Sequence, residues 1–266
     1  VNLIIVQSEI IVLLGEHGAG KSTIIGIISG ITNQSSGQVL NGQGKTYDPR
    51  KYLALCPQYD LLWEELTVRE NLNLIGRLRG LQGRELKEDV GKLLTAVNLE
   101  SKKNEYVNSL SGGMQRRLSI GQVLLGSRPF VILDEPTTGL DPIHRRQIWD
   151  LIAYLKKSGQ TVLLTTHLMD EAEAMADRVA FLNKGKLTQV GTIPELKAKL
   201  NRLNLVFEPK NENKQTILNF TQVLKSNFGE DVVYKELSAK KLIASIPNLV
   251  DKVIVIVKSI EDGVGE

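Results

Sequence analysis

The chain has 266 residues, 42% of them apolar, with 33 basic and 30 acidic side chains for a formal net charge of +3, and Cys56 as its only cysteine. That apolar share suffices for one large core plus a small one. The near balance of charge lacks the basic stripe that nucleic acid requires, a lone cysteine excludes an intrachain disulfide and a cysteine metal cluster, and no apolar run reaches the roughly 18 to 20 residues that span a bilayer.

The run IIVLL at Ile10 to Leu14 reads as a buried strand, and GEHGAGKS follows it directly at residues 15–22, with a helix opening near Gly20. GQVLNGQ (37–43) and YLALCPQ (52–58) are short strand candidates. From Leu66 to about Val97 the pattern turns helical. Thr67 and Glu70 form a cap, and apolar residues recur at three and four through Leu72, Leu74, Ile75 and Leu78. Strand and helix then alternate: FVILD at Phe130 to Asp134, a helix from about Ile143 to Ser158, TVLLTT at Thr161 to Thr166, a helix through Met175, and RVAFLNKGKL from Arg178. Apolar strands separated by helices of this length predict an α/β domain with a parallel sheet covered on both faces, into which a helical subdomain of about 59–125 is inserted.

Past Leu200 the texture changes to LNLVF, a helical stretch TILNFTQVLKSNF, DVVYKEL, KLIASIP and a helical run LVDKVIVIVKSI. That βαββα order predicts a small ferredoxin-like α+β domain, a split βαβ unit without its last strand. The division is therefore 1–200 and 201–266. The start at Val1 and the DGVGE end read as the limits of a piece of a longer polypeptide.

Gly15, Gly20, Lys21 and Ser22 match GxxxxGK[ST] directly after a strand. Such a turn aims backbone N–H groups inward, the helix adds its positive end, and Lys21 adds a full charge, so the loop of Gly15, Glu16, His17, Gly18, Ala19, Gly20, Lys21 and Ser22, with Thr23, is a phosphate cradle. Ser22 offers its hydroxyl to Mg²⁺. His17 fills a free position of the pattern and reads as a loop side chain. At the end of FVILD, Asp134 suits a metal-bound water and Glu135 the polarisation of an attacking water. LSGGMQRR at Leu110 to Arg117 places a serine cap and bare N–H groups at a helix start, a second anion-binding arrangement.

Taken in order, GEHGAGKS, CPQYD, LSGGM, VILDEP, TGLD and TTH resemble the nucleotide-binding domain of an ABC ATPase over nearly all of residues 1–200. The stretch CPQYDLLWEELTVREN, the methionine of LSGGM and the small following domain bring the resemblance nearest to the A subfamily of ABC transporters, whose cargo is lipid. The resemblance implies ATP and Mg²⁺ as ligands. Gln58 would touch Mg²⁺ and the γ phosphate while linking core to helical insertion. Ser111, Gly112 and Gly113 would cap ATP held on a second nucleotide-binding domain, paired head to tail, with Asp141 at the seam. His167 would orient the catalytic groups. It further implies transmembrane domains as partners and a place on the cytoplasmic face of a membrane. Two other family roles remain open: the ATPase subunit of a bacterial-type exporter, and a regulatory domain of low turnover. The aromatic residue that stacks on adenine in the family has no counterpart in Val1 to Leu14, so adenine preference is implied by the resemblance alone.

Overall fold

The computed structural model describes residues 1–200, 202–207, 220–226, 232–238 and 241–247. Contacts divide it into two units, Val1–Ile193 and Pro194–Glu266.

The first unit is built on a six-stranded sheet. Its strands are β1 (Ile10–Leu14), β2 (Leu53–Cys56), β3 (Phe130–Asp134), β4 (Thr161–Thr166), β5 (Arg178–Asn183) and β6 (Lys186–Gly191), in the order β2-β3-β4-β1-β5-β6. Every residue of β1 is buried because it lies between β4 and β5 with helices on the faces, which is why its sequence is apolar throughout rather than alternating. Ile11, Leu13, Ile132, Leu163, Ala180 and Leu182 form the core of the sheet, and Ala19 and Ile25 join it from the loop and helix that follow β1.

Two expectations change here. The sheet is mixed, because β6 runs antiparallel to β5. Asn183 pairs with Lys186, and the intervening Lys184 and Gly185 both have positive φ (46° and 76°), the tight reversal that matches strand twist. Two residues cannot make a parallel crossover, which takes a dozen or more. The second change is at GQVLNGQ, which forms no strand: only an isolated bridge, Leu40 to Thr46, occurs. Asn41 Oδ1 accepts from the N–H groups of Gln43 and Lys45, each at 3.0 Å, so the side chain takes the donors that a ladder would use.

The helices of this unit are α1 (Lys21–Ile28), α2 (Pro49–Tyr52), α3 (Val68–Leu78), α4 (Gly83–Ala96), α5 (Gly112–Leu124), α6 (Pro142–Lys157) and α7 (Met169–Met175). Thr67 and Glu70 close a reciprocal capping box at the start of α3, satisfying donors that the first turn leaves free. α3, α4 and α5 make the helical part, and α5 is buried along most of its length, between that part and β2.

The second unit begins within α8 (Ile193–Leu200). It contains β7 (Arg202–Phe207), a helical segment at 220–226, β8 (Val233–Ser238) and β9 (Lys241–Pro247). Its three-stranded sheet has the order β7-β9-β8 with both pairings antiparallel. β7 and β8 therefore flank β9 in parallel, the strand arrangement of a split βαβ unit. The helix expected at 249–260 lies outside the described residues. Among those described, no helix is long and apolar enough to cross a membrane.

Candidate functional site

The loop after β1 is shaped by its glycines. A Cβ on Gly15 would lie 2.5 Å from the carbonyl oxygen of Leu182 in β5, a backbone atom that cannot move aside, so no side chain fits. Gly20 has φ 104° and stands at the N-cap of α1, whose first N–H groups receive no side-chain cap. Lys21 folds back under the loop, buried, with Nζ donating to the carbonyls of Gly15 at 2.7 Å and Glu16 at 3.2 Å. Ala19 anchors the loop in the core, while Glu16, His17, Gly18, Ser22 and Thr23 are exposed.

The carboxylates stand together at the end of β3, beside Thr165 of β4. Thr165 Oγ1 donates to Asp134 Oδ1 at 2.6 Å, and the Glu135 N–H reaches both the carbonyl and the hydroxyl of the same threonine at 3.1 and 3.0 Å. Glu135 has φ 44°, a left-handed conformation that costs a non-glycine residue about 1 to 2 kcal/mol. Its side chain thereby enters a cluster: Lys21 Nζ lies 3.3 Å from Oε1, His167 Nδ1 lies 3.3 Å from Oε2, and Thr138 Oγ1 donates to Oε2 at 3.0 Å. Burial pushes the Glu135 carboxyl up, but the Thr138 and Lys21 hydrogen bonds and the charges of Lys21 and His167 outweigh it and hold the group below its ordinary range. It is therefore a charged acceptor at neutral pH. The His17 ring lies against that of His167, centroids 4.8 Å apart, so a position that the loop pattern leaves free borders the cluster.

Gln58 is exposed two residues beyond β2, whose Cys56 pairs with Leu133 of β3, and so stands at the same sheet end as Asp134. Ser111, Gly112, Gly113 and Asp141 gather elsewhere. Ser111 caps α5 by accepting from Met114 N at 3.4 Å. Asp141 caps α6, accepting from the N–H groups of Ile143 and His144 at 2.9 and 3.0 Å, and its other oxygen meets His144 Nδ1. Gly113 is pressed against that imidazole: a Cβ there would lie 2.5 Å from Cδ2. No hydrogen bond or ion pair joins this second group to Lys21, Glu135 or His167.

Glu171 escapes a reading of motifs altogether. It is 0% exposed in the first turn of α7, and its Oε1 accepts from Thr137 Oγ1 at 2.8 Å and Trp149 Nε1 at 3.3 Å. It thus ties the turn after Glu135 to the segment after His167. A carboxylate in the first turn of MDEAEAM was the available signal, but such residues ordinarily face water. Burial pushes its carboxyl up, against the pull of its hydrogen bonds and the Arg145 charge. For a group whose folded pKa is raised, stability is fully present below the unfolded value of about 4.3 and is lost as pH rises through the folded value. Thermal melts should therefore find wild type losing ground to Glu171→Gln as pH rises above the ordinary glutamate range; a pH-independent difference in Tm would contradict this.

The profile of the family described as ABC transporter matches residues 1–138. The chain is 43% identical over 215 residues to the phospholipid-transporting ATPase ABCA3 of Homo sapiens, covering 78% of this chain and 13% of that protein. It is 38% identical over 228 residues to the ABC transporter ced-7 of Caenorhabditis elegans, 82% of this chain and 13% of that protein. It therefore spans about an eighth of the length of these curated relatives. Among solved structures it resembles the ATP-binding cassette MJ0796 in a dimeric post-hydrolysis state bound to ADP and Pi, with 28% identity, a TM-score of 0.65, and coverage of 73% of this chain and 89% of that one. A phosphate-shaped loop, a charged carboxylate beside a buried lysine, a strand-end histidine and this matching profile lead to one conclusion: the chain belongs to the ABC transporter family, as a nucleotide-binding domain of the A-subfamily type.

Proposed function

We propose that this domain binds and hydrolyses ATP as the motor of a membrane transporter that moves lipid. The observation carrying this reading is the convergence of buried Lys21 and Glu135 with the solvent-exposed His167 beside a helix start that no side chain caps. The loop N–H groups and Lys21 take the β and γ phosphates. Glu135, held ionised, accepts a hydrogen bond from the attacking water, and His167 keeps that carboxylate aimed. Among the described residues no three His, Cys, Asp or Glu side chains gather as a metal cage. A hydroxyl (Ser22), a carboxylate (Asp134) and an amide (Gln58) nevertheless suit Mg²⁺, which keeps its waters and substrate oxygens and takes few protein ligands. When bound, the ion neutralises charge developing on the phosphate oxygens.

The separation of Ser111 to Gly113 and Asp141 from the Lys21 cluster supports a site completed by a second nucleotide-binding domain, head to tail. The dimeric form of the cassette that the chain resembles points the same way. Transmembrane domains would dock on the helical part, on the cytoplasmic face of the membrane. A groove of ≈ 780 Å³ offers a surface for them, with Leu86, Val90 and Leu94 among a lining that also carries Arg69, Lys87 and Glu100. Lipid as cargo rests on relatives such as the phospholipid-transporting ABCA3.

The test is the parent protein in phospholipid bilayers, measured for ATP turnover and for movement of a labelled phospholipid between leaflets. ATP-dependent movement is expected, and turnover without any lipid movement would leave the motor but remove the cargo. We further propose that residues 201–266 form a small regulatory domain. Truncation after Leu200 should then change ATPase rate or its coupling to transport by about two- to tenfold with nucleotide affinity retained, as for a coupling of roughly 1 kcal/mol; unchanged coupling would refute the role.

A further inference from the structure

We propose that Arg116 is the positioning residue that holds the Glu135 turn and the Gln58 loop in one register against α5. Its side chain is 6% exposed, and every nitrogen of its guanidinium is engaged. Nε donates to the carbonyl of Pro136 at 2.9 Å. Nη2 donates to the carbonyls of Asp134 at 3.1 Å and Glu135 at 3.4 Å. Nη1 donates to the carbonyl of Pro57 at 2.9 Å and to Asp60 Oδ1 at 2.7 Å.

These acceptors come from the two loops that carry the catalytic groups. Strand β3 ends at Asp134, and Glu135 then turns left-handed, so consecutive carbonyls leave the sheet ladder and need other donors. A planar fork satisfies them together and makes that turn the favoured conformation. The same fork grips Pro57 and Asp60 on either side of Gln58. Movement of α5, whose first turn holds Ser111 to Gly113, is thereby transmitted to both loops at once. Lysine cannot replace this, because one ammonium lacks the geometry to meet acceptors on two loops. Arg117 provides an internal control: equally buried on the same helix, it donates to the carbonyls of Val97 and Asn98 and reaches neither loop.

The inference rests on Glu135 acting on the attacking water, and the experiment separates the two. Arg116→Met, Arg116→Lys, Arg117→Met and Glu135→Gln would be made in the full parent protein, with kcat, ATP KM, affinity for a non-hydrolysable ATP analogue and Tm measured for each. Arg116→Met should lose about a hundredfold in kcat, the cost of displacing a reacting group by about 1 Å, with KM and analogue affinity within about threefold. Arg116→Lys, which retains the charge and should fold even if the methionine variant does not, should lose about tenfold in kcat. Arg117→Met should lower Tm with kcat unchanged below the melting range. Normal kcat in Arg116→Met or Arg116→Lys beside an inactive Glu135→Gln overturns the role of Arg116 alone, as does an equal kcat loss in Arg117→Met. Normal turnover in Glu135→Gln overturns the assignment of the base, and this inference with it.

Discussion

Glu135→Gln should lower ATP turnover by about 10² to 10⁴, equivalent to about 3 to 5 kcal/mol of transition-state stabilisation. The amide can still accept from Thr138 and fits the same space, so the left-handed turn and the loop beneath it are expected to survive. What disappears is the negative charge that Lys21 and His167 hold ionised against burial. A group that acts on the water rather than on the bound nucleotide changes kcat and not ground-state affinity, so KM should move little. Phosphate release by the parent protein at saturating ATP, paired with binding of a fluorescent ATP analogue, measures both. Turnover within a few-fold of wild type would remove Glu135 from the mechanism.

Lys21→Ala should act on the other parameter. Its ammonium is buried with Glu135, 3.3 Å away, and among the described residues no other lysine or arginine forms an ion pair with that carboxylate. A charge-assisted contact to phosphate contributes about 1.5 to 3 kcal/mol, so loss of one such contact weakens ATP binding by about ten- to a hundredfold. The substitution also removes one of the influences that keep Glu135 ionised, and its carboxyl should rise towards the value that burial favours. For a group with a depressed pKa, stabilisation exists above the unfolded value and fades as pH falls through the folded one. Lys21→Ala should therefore narrow that stabilised range at its acidic end. Equilibrium binding and pH-dependent melts test the two consequences separately; wild-type ATP affinity in this variant would contradict the phosphate-binding role.

The elements legible in the sequence are those whose cause is local. IIVLL reads as a buried strand because five adjacent apolar residues admit little else, and Thr67 with Glu70 reads as a cap because both partners lie within one turn. GQVLNGQ misleads for the opposite reason: its apolar pair suggests a strand, but the nearby Asn41 side chain competes for the backbone. The direction of β6 was written in Lys184-Gly185, a reversal signal overshadowed by the apolar texture around it. In the site, the glycine loop and Asp134-Glu135 are contiguous and visible. Arg116 and Glu171 are not, since their partners lie on segments distant in sequence and are largely main-chain carbonyls or hydroxyls, which leave no pattern in residue types.

The contact of Gly113 with the His144 imidazole makes the starts of α5 and α6 a single mechanical piece. Because Asp141 grips that same ring, a shift at one helix end drags the other with it. Gly113→Ala should therefore disturb the starts of both helices together.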